Sequence, residues 1–173
     1  MTDGQNVLTS VLDIYDRRLG RLQMTYEEII TGLRTLGPSD FDYKNLDARG
    51  SERLSELTDA LMATPGGSQE EAIRELFSVM ERMPDADLGS PGPLVHTLEE
   101  LKSYEQELIR SIRRCPSFLS VWMVNRILNA DPPIDVRQSY MSLLSEATKR
   151  PDVPKEIRDQ ARHFIEFQTR KQR

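Results

Sequence analysis

The side chains able to do chemistry are few and scattered. The chain has two histidines, His96 and His163, and one cysteine, Cys115. A cysteine nucleophile wants a histidine base, and Cys115 stands before Pro116 at an expected helix end, so it reads as inert. One cysteine makes no internal disulfide. A helical di-metal site needs Glu-x-x-His spacing, and residues 93 and 160 are proline and glutamine. Gly89 and Gly92 are followed by no Lys-Ser or Lys-Thr, so they form no phosphate loop. Two acid groups remain, Asp40-x-Asp42 and Glu99-Glu100, and nothing marks either as a paired acid and base. The expectation is a protein with no catalytic residues, no metal site and no cofactor.

Charge offers a different chemistry. Residues 51–100 carry eleven acids and three bases, a net of −8, whereas residues 116–173 carry ten bases and seven acids, a net of +3. An acidic middle repels phosphate backbones, which argues against nucleic acid as a direct ligand. It attracts a basic protein surface, although a solvated helix face reads the same way. The stretch PSDFDYKNLDARG, residues 38–50, alternates acids with aromatics and keeps no apolar period. It is either a surface loop pinned by Phe41 and Tyr43 or a binding loop offering carboxylates and a tyrosine. On charge alone, the candidate partner contacts are Asp40, Asp42, Tyr43, Asp85, Asp87, Glu99 and Glu100.

Helices must position these residues. Apolar side chains recur at three- and four-residue steps almost throughout. The first helix is expected over Asn6–Leu22. Thr25 and Glu28 make a capping box for the second, which Gly37-Pro38 ends. Further helices are expected from Ser51 as N-cap to Ala63, and from Ser68, with Glu71 completing a box, to Met83. Others follow over Leu94–Leu101, from a Ser103 cap to Arg114, from Ser117 to Leu128, from Asp135 to Lys149, and in the final segment through Phe167. The segment PDADLGSPGP (84–93) excludes regular structure. Between Ser117 and Leu128, apolar residues fall on almost every side around the only tryptophan, Trp122. Such a helix is buried, so this one is expected to be the central layer. The fold class is all-α: a single domain over 1–173, with N-terminal helices in 1–83 and antiparallel helical pairs in 84–173. The whole forms a HEAT-like stack, or α-solenoid, of about eight helices.

Polar residues inside that buried helix need partners. An unpaired buried guanidinium costs several kcal/mol, so Arg126 must meet a carboxylate or carbonyls, or reach a surface. The preferred reading is a structural latch, in which Arg126 and Asn125 hold the 84–93 loop through its backbone, Asp85 or Asp87, and Asn129 closes the helix. The other reading is direct contact with a partner.

Three stretches carry a family resemblance: DLGSPGPLVHTLEE (Asp87–Glu100), SYEQELIRSIRRCP (Ser103–Pro116) and SVWMVNRILN (Ser120–Asn129). Over about residues 84–150 the chain resembles the helical immunity proteins of bacterial polymorphic toxin systems, most closely immunity protein family thirty. The resemblance implies binding and neutralising a cognate toxin domain, without catalysis. An acidic block for a basic, nucleic-acid-directed toxin fits the −8 segment. A helical-repeat scaffold or adaptor for another protein is the alternative. No apolar run is long enough to span a membrane, and the N-terminal residues have no basic-then-apolar start, so a cytoplasmic home is the default expectation.

Overall fold

The computed structural model describes residues 24–42 and 44–171. The helix expected over Asn6–Leu22, and Tyr43, lie outside the described residues. The elements run in order α1 (Tyr26–Thr35), a 3-10 turn (Pro38–Phe41), α2 (Gly50–Ala63), α3 (Gln69–Arg82), α4 (Gly92–Leu101) and α5 (Glu105–Arg114). Then come α6 (Phe118–Asn129), α7 (Ile134–Thr148) and α8 (Lys155–Lys171). No strand occurs among the described residues, and the fold is an all-α stack.

Each helix packs against a helix two places away in the chain as well as against a chain neighbour. The odd helices α1, α3, α5 and α7 form one row, each against the following odd helix. In the second row, α2 packs on α4 and α6 on α8. The hairpins α1–α2, α3–α4, α5–α6 and α7–α8 connect the rows, so the pairing expected after residue 93 extends back to residue 26. One apolar core runs the length of the stack, from Ile29 through Phe77, Leu98 and Leu128 to Ala161.

The odd helices run parallel, with their C-termini along one edge. At the start of α1, the Tyr26 hydroxyl donates to the Ser68 carbonyl before α3 (2.7 Å). At the ends, Arg82 of α3 donates to the Leu33 carbonyl of α1 (2.6 Å). Arg150, just past α7, donates to the carbonyls of Ile112, Arg113 and Arg114 at the end of α5 (3.2, 2.6 and 3.1 Å). The last carbonyls of a helix lack partners within it and carry the negative end of its dipole, so a guanidinium from the next layer satisfies both needs. Carboxylates add to this edge: Arg34 meets Glu71 and Glu75, and Arg114 forks onto Glu81 and reaches Glu107. Those carboxylates hold the Arg114 guanidinium well above its usual pKa.

Several helix starts differ from the sequence expectation. The Thr25–Glu28 box is present, as is the Ser117 cap, which pairs reciprocally with Ser120. Ser68 accepts from the Glu71 amide, but Glu71 does not return the bond, because its carboxylate is held by Arg34 and the Tyr26 hydroxyl. Ser51 is not an N-cap, since α2 already begins at Gly50. There the chain passes so close to the 3-10 turn that a Cβ would fall 2.5 Å from the Asp40 carbonyl oxygen. Ser103 caps nothing. With Lys102 it sits at positive φ (54° and 60°), and α5 begins at Glu105.

The tryptophan helix is only partly the buried layer expected of it. Leu119, Val121, Met123, Val124 and Leu128 are buried in α6, but Trp122 is half-buried and Phe118 is 41% exposed. Positions 118, 122 and 126 lie four apart, one stripe of a helix, and that stripe faces outward. Met62 of α2 and Phe167 of α8 are also exposed. One buried charged group is a residue that sequence periodicity passed over. Arg137 of α7, 5% exposed, donates to the Leu128 carbonyl (3.2 Å) and to the carbonyl and side-chain oxygens of Gln168 (3.1 and 2.9 Å). Gln168, fully buried, donates in turn to Asn125 and Asn129 (2.8 and 2.7 Å).

Arg137→Met keeps the volume but removes the guanidinium's bonds to the Leu128 carbonyl and to both Gln168 oxygens at the α6–α8 contact. It is expected to lower unfolding free energy by about 2–4 kcal/mol in urea denaturation. Trp122→Ala, at a half-buried site, should cost about 1–3 kcal/mol, less than the range for a fully buried aromatic.

Candidate partner-binding face

The segment Pro84–Pro93 forms a ridge that borders two grooves, one through Asp85–Ser90 and the other through Gly92 and Pro93. It is anchored at its start by the Phe118 amide, which donates to the Pro84 carbonyl (2.8 Å), and Leu88 is buried beneath it. Asp87 accepts from the Gly89 amide (3.1 Å), which shapes the turn. On one side lies a groove of about 300 Å³ between the ridge and the start of α6. Its apolar lining is Ala86, Leu88, Leu119 and the exposed ring of Phe118, and Asp85 and Asp87 line it too. On the other side, α2 and α4 enclose a groove of about 470 Å³, with Asp59, Met62, His96 and Glu100 among its walls. Asp59, Asp85, Asp87 and Glu100 are all exposed, and none pairs with a base among the described residues. Charged groups left unpaired in this way are available to an outside partner.

The structure separates the residues singled out from sequence. Asp85 and Asp87 share the α6 groove, and Glu100 lines the α2–α4 groove. Glu99 is engaged within the fold: Arg126 forks onto it at 2.5 and 3.0 Å. The same guanidinium lies 5.5 Å from the centre of the Trp122 ring, a cation–π geometry. Asp40 accepts from the Gly37 amide (2.8 Å) and so holds the 3-10 turn together. Asp42 accepts from the Lys44 amide (2.9 Å) in an exposed turn.

The expected latch is corrected in its partners. Arg126 does not reach the 84–93 loop, nor does it meet Asp85 or Asp87; it closes on Glu99. Asn125 and Asn129 hold Gln168 of the last helix instead. The reason is rotational: Asn125 and Asn129 are one turn apart, facing α8, while Arg126 lies on the outward stripe with Trp122. Nearby Tyr104, half-buried before α5, has its phenol pushed up to about 12 by burial, and the charges of Glu105 and Glu99 add to the shift.

Asp59, Met62 and Phe118 escaped the sequence reading for one reason. Each lies in an amphipathic or apolar helix, and its outward direction depends on which neighbours cover the rest of that helix. The Cys115 thiol donates to the Glu81 carbonyl (3.4 Å), and burial pushes its pKa up, which disfavours the reactive thiolate. Among the described residues no group of three His, Cys, Asp or Glu side chains could hold a metal ion, and no helix is long and apolar enough to cross a membrane.

Comparison of the chain with protein-family models, curated proteins and solved structures finds no match.

Glu99→Gln weakens an exposed ion pair. It should cost under about 1 kcal/mol while shifting the emission of Trp122, the only tryptophan. Equilibrium unfolding followed by that fluorescence checks both.

Proposed function

We propose that this chain acts by occupying another protein, as an immunity protein that binds and neutralises a basic cognate toxin domain without chemistry of its own. The observation that carries this reading is the ridge face itself. Asp85 and Asp87 line one of the two grooves that the 84–93 segment borders, and Asp59 and Glu100 line the other. Beside them stand two exposed apolar side chains, Phe118 and Met62, each 41% exposed. An apolar anchor ringed by desolvatable charge is the usual anatomy of a recognition patch. The acids also draw in a basic partner from a distance, which raises the association rate. Speed matters for a protein whose partner is harmful while free.

A helical scaffold or adaptor is a second reading, favoured by the C-terminal helix of the stack. There α8 exposes Phe167 (43%) near Arg170 and Lys171, a basic, aromatic patch suited to a different partner.

The test is co-expression with the adjacent open reading frame and capture of its product on the tagged chain. The double variant Asp85→Lys and Asp87→Lys should lower affinity at least about tenfold, with helicity by circular dichroism unchanged, and capture should weaken as salt rises. Capture unaffected by this variant but lost on Phe167→Ala with Arg170→Glu would replace the ridge reading with the scaffold one.

A further inference from the structure

Two surface patches, one at each end of α6, complement each other. The first is the apolar groove of about 300 Å³ beside the 84–93 ridge, lined by Ala86, Leu88, Leu119 and the exposed Phe118 ring, with Asp85 and Asp87 among its walls. Both carboxylates are exposed and meet no base among the described residues. The second patch is the end of α8. Phe167, Arg170 and Lys171 are exposed there, spaced three and four residues apart on one helix face. Neither base meets a carboxylate among the described residues: Arg170 donates to the Glu166 carbonyl and Lys171 to the Asn129 carbonyl. Over residues 162–173 the chain carries four bases and one acid. The patches do not reach each other within one chain. Gln168 bonds Asn125 and Asn129, so the end of α8 lies against the end of α6, whereas Phe118 opens α6. About 16 Å of helix axis separates the two.

We propose that these patches pair between two copies of this chain, the end of α8 of one copy seated in the ridge groove of the other. Phe167 enters the apolar lining, where its ring meets Phe118 as an aromatic pair. Arg170 and Lys171, one turn further on, face Asp85 and Asp87. Charge selects this occupant. Leu46, Met62, Phe118, Ile134 and Phe167 are the large apolar side chains exposed among the described residues. Of these, Phe167 is the one followed on its own helix face by exposed bases without a carboxylate partner. A groove of this size is at the low end for binding pockets and suits a single aromatic side chain. Each copy carries both halves of the contact, so the chain associates with itself. The interface is small, and contacts of that size are weak and reversible. Because it uses the ridge groove, self-association competes with any partner that docks there.

Sedimentation velocity of the purified full chain, from about 10 μM to about 1 mM, tests the contact. At low salt the weight-average sedimentation coefficient should rise with concentration, and about 0.5 M salt should suppress the rise. Asp85→Lys with Asp87→Lys should weaken association at least about tenfold, and Arg170→Glu with Lys171→Glu should do the same. Phe167→Ala should weaken it at least about fivefold. All these positions are exposed, so circular dichroism should show unchanged helicity in each variant. The decisive arm mixes the two charge-reversed chains. Alone, each sets like charge against like and stays monomeric. Together, the acidic groove of one meets the basic helix end of the other, and association should return. A coefficient flat up to about 1 mM, association indifferent to either charge reversal, or a mixture that stays monomeric would overturn the contact. The measurement uses the purified chain alone. Its failure therefore leaves the toxin reading standing, and failure to capture a toxin leaves the self-contact standing.

Discussion

Guanidinium groups seated on the ends of helices hold this stack in register. Arg82 sits on the end of α1, Arg150 on the end of α5, and Arg137 on the ends of both α6 and α8. Each helix terminus would otherwise present carbonyls with no partner in the helix. Apolar faces alone allow neighbouring helices to slide and rotate, because hydrophobic burial has no direction. A fork of N–H groups on particular carbonyls does have direction. Arg137 is the strongest case, since it is buried and pairs with no carboxylate among the described residues. Two helix dipoles and an amide oxygen take the place of a counter-ion, and through Gln168 the network fixes Asn125 and Asn129 against the last helix.

That division of labour bears on function. Along the odd-helix edge, acids and bases neutralise each other: Arg34 with Glu71 and Glu75, Arg114 with Glu81 and Glu107. The excess negative charge of residues 51–100 is therefore not spread evenly over the surface. Glu71, Glu75, Glu81 and Glu99 are taken up inside the fold, whereas Asp59, Asp85, Asp87 and Glu100 meet no base among the described residues at the two grooves. The net charge of a segment is thus a poor guide to its binding face. What counts is the remainder after internal pairing, and here that remainder gathers around the 84–93 ridge.

Glu99 and Glu100 make the point within one dipeptide. Read as letters they are equivalent, two acids at the end of an amphipathic helix. About 100° of helical rotation turns one toward Arg126 and Trp122 across the space between α4 and α6, and the other into the α2–α4 groove. Phe118 and Leu119 divide in the same way, one ring outward and one side chain buried. In each pair the outcome depends on which helix lies alongside.

The sequence by itself determined the helical class, most of the breaks between elements, and two of the caps. These are consequences of local periodicity, of proline and glycine, and of serine or threonine before a helix, all acting within a few residues. The tertiary structure decided which apolar residues stay exposed, which acids are internally neutralised, and where the buried arginine finds its partners. Arg137 and Gln168 are 31 residues apart, and Arg126 and Glu99 are 27 apart. No local rule couples such positions. They meet only because helix packing sets the rotation of each helix about its own axis, and a side chain's environment follows from that rotation.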